Sequence, residues 1–421
     1  MQQIFLRAVN VQVYLGDDSL ATNDLISAIK DGTLLNVKDR AYDDPKYQKY
    51  YLKFKAFGEL EYWGRTWIIQ EIALARNVRF ISGLTRLTRF TMEDVKVLCG
   101  KAERAEWRGR SYDRLKLISD AFDLLSLATT ESVEEHAKRL TKLLQMSRKS
   151  RCSDPRDRIY GLLGIMTAMF GTDFLEASYE RTLVDVYTDF TRRFITTTGS
   201  LVILNQSAHI YNSITALPTW VPDWSSRFDH ESAVQRIPYH EKFHASGKLL
   251  EGRYRPSPGY TLSSKLNLSG FLFGHVRVVG SHFDYTTDQY RLLKNWEKLH
   301  SGAAESFRRT VTLDDSRLGQ TDLDHAYLQI YDYNRLPLDV NLDRRFFVSD
   351  RGMPGVGPMD TREGDLLAIL AGGKVPYVLR KSPNATTSSP NEFTFVGESY
   401  VDGVMYGELL DSHDFEDIVL V

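Results

Sequence analysis

Glu71 is the residue of this chain whose surroundings raise a chemical question. It lies in Gly64-Arg65-Thr66-Trp67-Ile68-Ile69-Gln70-Glu71-Ile72-Ala73-Leu74-Ala75. Wound as a helix at about 3.6 residues per turn, the stretch puts Trp63, Trp67 and Leu74 on one side and Ile68, Ile72 and Ala75 on another. Gln70 falls at the edge of the Trp side, and Glu71 between Trp67 and the Ile68/Ala75 row. A carboxylate between two apolar rows is costly unless something pairs with it. The pattern predicts a core helix whose Gln70 and Glu71 satisfy neighbouring backbone groups or Arg65. The other reading is a functional carboxylate. Asn77 can close the helix, and Val78-Arg79-Phe80-Ile81-Ser82-Gly83 follows as a short strand ending at a glycine.

A second stretch is just as sharply patterned: Ser153-Asp154-Pro155-Arg156-Asp157-Arg158-Ile159-Tyr160-Gly161-Leu162-Leu163-Gly164. Asp154 suits an N-cap and Pro155 the first helical position. Asp157 then sits in the first turn, where a carboxylate faces the helix dipole. Arg156 and Arg158 flank it. The pattern is that of a well-capped buried helix. The third stretch, Leu217-Pro218-Thr219-Trp220-Val221-Pro222-Asp223-Trp224-Ser225, is not helical, because two prolines hold their predecessors extended. Trp220 and Trp224 are expected as buried anchors, and Asp223 as an acceptor for nearby backbone or Arg donors.

Other chemistries find no residues to run on. There is no phosphate-binding glycine loop, no nucleophile elbow, no HExxH and no CxxC. His209, His230, His240 and His244 cluster only loosely, without cysteine partners, so no metal site is expected. Cys99 and Cys152 are far apart and are expected as reduced thiols. Lys138, Arg139, Lys142, Arg148, Lys149 and Arg151 form a basic patch with no interleaved aromatic platform. It is expected as a solvated helix face and not a nucleic-acid site.

The elements that must position these residues are ordinary in composition. The chain has 421 residues, 42% apolar and 26% charged, which suits a globular protein of two or three domains. With 53 basic and 55 acidic residues the formal net charge is −2, which supplies no general field for nucleic acid or an anionic membrane. No secretory signal or membrane-length apolar run is visible, which gives an expected cytoplasmic location. The sequons at Asn205, Asn267 and Asn384 are therefore read as chance.

Helix is expected over residues 1–8, then a strand over Val9 to Leu15 with Val11, Val13 and Leu15 on one face. Thr22 or Asn23 is expected to cap a helix through Ile29, giving an α/β start whose strand should find its neighbours upstream. Residues 32–60 suit a loop and then a helix, residues 91–150 a run of helices, and Tyr179 to Phe194 an amphipathic helix. Tyr260 to Val279 alternates as strand, and residues 281–335 return to helix. Short β runs follow at residues 344–349, 364–370, 375–380, 393–397 and 400–405, with Lys381 to Asn391 as a hairpin tip. The expected whole is α+β: an α/β region over 1–165, a helical region with the Pro/Trp linker over 166–240, and a β-rich domain over 241–421. That last domain is expected as a small antiparallel barrel or sandwich with inserted helices.

In this order the motifs resemble those of fungal heterokaryon-incompatibility (HET) domain proteins. The matching pieces are the strand Val11 to Gly16, Arg65-Thr66-Trp67-Ile68-Ile69-Gln70-Glu71, Asp154 to Gly164, and Leu217 to Ser225. Downstream, Arg345-Phe346-Phe347, Pro376 to Arg380 and Gly403 to Glu408 look like the tail such proteins carry. The family's opening Tyr-x-x-Leu-Ser-Tyr-x-Trp-Gly segment is not matched, so the resemblance implies a chain that begins partway through the domain, truncated or degenerate.

That resemblance implies a role in non-self recognition and programmed cell death, through self-assembly or binding to other incompatibility proteins. A second likeness bears on Glu71. Trp67-x-x-x-Glu71-Ile72 looks like the Trp-Cys-x-x-Glu-Leu segment of Toll/interleukin-1 receptor (TIR) domains, a flavodoxin-like fold. In enzymatic members this glutamate helps cleave NAD at the nicotinamide–ribose bond. The likeness implies NAD as a substrate of the complete protein, no cofactor, and a carboxylate supporting an oxocarbenium-like transition state. For the chain as given, it implies no activity.

Overall fold

A computed structural model describes residues 2–16, 20–83, 88–127, 132–207, 214–226, 242–247, 264–283, 289–314, 343–384 and 391–421. The chain forms two compact units, Met1–Glu180 and Arg181–Val421.

The first unit runs α1 (Gln2–Arg7), β1 (Val11–Tyr14), α2 (Leu20–Lys30), α3 (Pro45–Gly58), a 3-10 turn at Glu61–Gly64, α4 (Ile68–Ala73), β2 (Val78–Ser82), β3 (Thr88–Thr91), α5 (Met92–Arg104), α6 (Arg110–Leu127), α7 (Val133–Ser147), α8 (Asp157–Tyr160) and α9 (Leu163–Phe170). Local chemistry sets several starts. Asp44 accepts from the Lys46 amide with Pro45 in the first turn of α3. Thr91 and Asp94 close a reciprocal capping box on α5. In α3 the residues Tyr47, Tyr50, Phe54 and Phe57 recur at helical spacing and are buried, so the aromatic stretch forms one apolar stripe. Phe57 and Phe80 each pack on Trp63 at 5.3 Å, and Phe80 stacks on Phe90 at 4.9 Å.

Two expectations are corrected here. β1 finds its neighbour downstream: it pairs in parallel with β2, from Val11 opposite Val78 to Tyr14 opposite Ile81. β2 pairs antiparallel with β3, giving the order β1-β2-β3. The helix assigned to a Thr22 or Asn23 cap starts earlier, at Leu20, and Thr22 is buried inside it.

The second unit begins with α10 (Leu183–Thr198), started by a Thr182/Asp185 capping box. Then come β4 (Leu266–His282), α11 (Gln289–Leu299), α12 (Ala304–Thr312), β5 (Arg344–Ser349), β6 (Pro354–Pro358), β7 (Leu366–Leu370), β8 (Tyr377–Lys381), β9 (Glu392–Glu398), β10 (Tyr400–Val401) and β11 (Glu416–Leu420). Among the described residues the strand order is β10-β6-β5-β4-β11-β9-β8-β7, and β7 also pairs with β4. That last pairing closes β4, β11, β9, β8 and β7 into a barrel, which leaves those strands few free edges. Only β9 and β11 pair in parallel; the other ladders are antiparallel. The 17-residue β4 is the shared stave: it meets β7 and β11 early and β5 late. Phe271, Phe273, Val276, Phe347, Ile369 and Val378 share the apolar core.

The architecture is α+β, as expected. β6 and β11 are additional strands, and the 400–405 run shortens to Tyr400–Val401. Most of the hairpin tip and the later part of the 281–335 helical region lie outside the described residues. Among the described residues no helix is long and apolar enough to cross a membrane.

Candidate functional site

In the first unit the first two motifs bind each other. The Arg151 amide donates to the Gly64 carbonyl at 2.5 Å, and the Thr66 amide returns the bond to the Arg151 carbonyl at 3.0 Å. This bridge interrupts the expected continuous helix. Trp63 lies in the preceding 3-10 turn, and α4 proper starts at Ile68. Trp67, half-buried, donates its indole Nε1–H to Asp157 Oδ2 at 3.1 Å. The Tyr179 hydroxyl donates to Asp157 Oδ1 at 2.6 Å. One turn on, the Gly164 amide donates to Gln70 Oε1 at 3.0 Å, and Gln70 is buried. A Cβ on Gly161 would lie 2.7 Å from Thr66 Cγ2, so only glycine permits this approach.

Asp154 does not cap as expected. α8 starts at Asp157, and Asp154 instead accepts from the Arg156 amide at 2.9 Å across the preceding turn. Its carboxylate also pairs with the Arg156 guanidinium, Nη2 to Oδ2 at 2.7 Å. Those Arg156 bonds hold the Asp154 carboxyl below its ordinary range. Arg156 further donates to the Tyr179 carbonyl at 2.7 Å and lies over the Tyr179 ring at 5.2 Å. Arg158, buried, donates to the carbonyls of Ser147 and Ser150.

Glu71 stands apart from this network. It is half-buried, and no described residue makes an ion pair or hydrogen bond with its carboxylate. Burial pushes its pKa up, and the more distant Arg65 charge opposes the shift. The neighbouring Tyr62 phenol is also pushed up, by burial first and then by the Glu71 charge. The expected Arg65 partner is therefore an electrostatic neighbour. Arg65 itself is exposed and tied through its backbone to Arg151.

The third motif is built into the second unit. Trp220 is fully buried, and its Nε1–H donates to the Ser264 carbonyl at 3.0 Å. The Arg192 guanidinium lies over its ring at 5.6 Å. Trp224 is fully buried against Phe190 of α10, ring centres 6.1 Å apart. Asp223 Oδ1 accepts from the amides of Ser225 and Ser226, so it fixes the turn that follows. Thr219 joins the segment to the barrel, its amide donating to the Val421 carbonyl at 3.1 Å and its Oγ1 accepting from the Phe395 amide at 2.9 Å.

The partner missed in the sequence is Tyr179, which the apolar periodicity had assigned to a helix. The Thr182-x-x-Asp185 capping box was the available signal, since it starts α10 at Leu183 and leaves Tyr179 outside. Among the described residues no group of His, Cys, Asp or Glu could hold a metal ion. His209, His230 and His240 lie outside the described residues. Cys99 is buried and Cys152 is half-buried.

Comparison with known proteins yields two matches. Residues 283–421 match the Het-6 beta-barrel domain, which covers most of the barrel strands. The chain is also 23% identical to Heterokaryon incompatibility protein 6, OR allele, of Neurospora crassa, over 87% of this chain and 67% of that protein. No solved structure matches the chain.

Proposed function

We propose that this chain, which is of the fungal heterokaryon-incompatibility type, acts in non-self recognition and cell death by assembly or by binding another incompatibility protein in the cytoplasm. The observation that carries this reading is the commitment of the motif side chains. Trp67, Gln70, Asp154, Arg156 and Asp157 spend their polar groups on one another or on Gly164 and Tyr179. Residues engaged in this way hold a scaffold together and leave recognition to surfaces. Expression in fungal cells tests it: wild type should kill, with cellular NAD maintained until viability falls. NAD loss that precedes death would count against assembly as the whole mechanism.

Glu71 favours a second reading, a TIR-like NAD glycohydrolase activity of the complete protein. It is the motif carboxylate with no bond to another described residue, and its raised pKa marks a partly apolar setting. Such a group could hold ribose hydroxyls and stabilise positive charge as the nicotinamide bond breaks. On this reading Glu71→Gln keeps the fold and abolishes both NAD loss and killing. A Glu71→Gln variant that still kills removes it.

A further inference from the structure

The first unit gathers arginines where it supplies few carboxylates. Most of the basic patch is neutralised: Lys138 faces Glu134 and Glu135, Arg139 pairs with Glu135, Lys142 with Asp120, and Lys149 with Asp113. Arg114 of α6 is different. It is only 6% exposed, and no described carboxylate pairs with it. Its Nη1 donates to the Gly58 carbonyl at 3.3 Å, while its Nη2 has no acceptor among the described residues.

Two more guanidinium groups stand beside it. A Cβ built on Gly64 would lie 3.0 Å from Arg114 Nη2 and 3.4 Å from Arg151 Nε, so both converge over the bare Gly64 backbone. Arg110 is exposed one helical turn before Arg114, a spacing at which like charges repel. The nearby acids compensate little. Arg151 meets Glu61 at 3.1 Å, but Glu61 is 87% exposed, and Glu59 acts on Arg114 only through distance. Burial, Arg110 and Arg151 together depress the Arg114 pKa, in that order. A buried cation with an orphan donor and two cationic neighbours lacks an anion of matching geometry.

We propose that Arg114, Arg151 and Arg110 form a binding site for a phosphate group, presented either as inorganic phosphate or as the monoester of a small metabolite. A tetrahedral oxyanion accepts from several guanidinium N–H groups at once, and Arg is the side chain suited to that fork geometry. Arg114 holds the group from within, and the two exposed arginines approach it from solvent. Gly64 keeps the floor open.

The full chain is titrated calorimetrically with inorganic phosphate at constant ionic strength set by chloride, and in parallel with adenosine monophosphate. Saturable binding of at least one probe is expected. Tighter monophosphate assigns the site to a phosphate-bearing metabolite, and equal or tighter phosphate assigns it to the free ion. Arg151→Ala and Arg110→Ala change exposed side chains and keep the fold. Arg151→Ala should weaken binding by about tenfold, the loss of one charge-assisted bond, and Arg110→Ala by less. Gly64→Ala should weaken it as well. No saturable binding of either probe, or affinity unchanged in both arginine variants, would overturn the proposal.

Discussion

Trp67 donates its indole N–H to Asp157, a residue 90 positions away, at 3.1 Å. The bond makes two separate motifs one structural unit. Asp157 is buried and accepts from Tyr179 as well. Trp67→Phe should cost about 1.5–3 kcal/mol, the usual worth of a hydrogen bond to a charged group. Asp157→Ala should cost more, because it strands two donors. A double-mutant cycle read by urea unfolding should return a coupling of about 1 kcal/mol or more. Additive losses would show that the contact does not hold the motifs together.

Trp220 fills the second unit beside the barrel, with Arg192 over its ring and Ser264 accepting from its N–H. Trp220→Ala should therefore cost about 3–5 kcal/mol, as for a large aromatic removed from a core. Trp220→Phe should recover most of that, since the ring volume is largely kept. A Trp220→Ala change within about 0.5 kcal/mol, typical of an exposed site, would contradict the packing.

The barrel and the motif anchors were legible for a physical reason. Short β runs punctuated by Gly and Pro name their own ends, and a Trp among prolines has few ways to be satisfied except burial. Helices carried by strong stripes, such as α5 to α7, were equally plain. What the sequence did not disclose was pairing over distance. The Arg151–Gly64 bridge breaks a perfect-looking helical pattern at Thr66, and no local rule announces it. β1 was assigned an upstream neighbour, yet β2 lies downstream beyond three helices and a 3-10 turn. Glu71 was expected to satisfy a neighbouring backbone group or Arg65, yet no described residue bonds to its carboxylate.

Arg344 and Glu398 form an ion pair, Nη2 to Oε1 at 2.7 Å, with both side chains at 2% exposure or less. Burial depresses the Arg344 pKa, and Glu398 pulls it back. Removing one partner leaves the other charge buried and unpaired, so Glu398→Gln should cost about 3–5 kcal/mol. The double change Arg344→Met with Glu398→Leu should recover most of that loss, because an apolar pair avoids desolvation altogether. Thermal unfolding of the three chains separates the cases. A double variant as unstable as the single one would show that the pair organises the barrel beyond its own charge balance.

The raised Glu71 pKa makes a prediction about pH whose sign is fixed. An unfolded chain holds a glutamate near pKa about 4.3, and the folded value lies above it because burial disfavours the charge. The contribution of Glu71 to stability is therefore fully present below that unfolded value. It is lost as pH rises through the folded value, since the folded state then binds the proton more tightly than the unfolded state. Glu71→Gln carries no charge at any pH and escapes the loss. Its melting temperature should equal or fall below that of wild type near pH 4 and exceed it by about 1–2 °C at pH 7, a small effect for a half-exposed group. The reverse order at pH 7 would mean that the ionised carboxylate has a stabilising partner. A difference that stays constant across pH would mean that Glu71 titrates as it does in the unfolded chain, and would remove the electrostatic ground for treating it as a functional carboxylate.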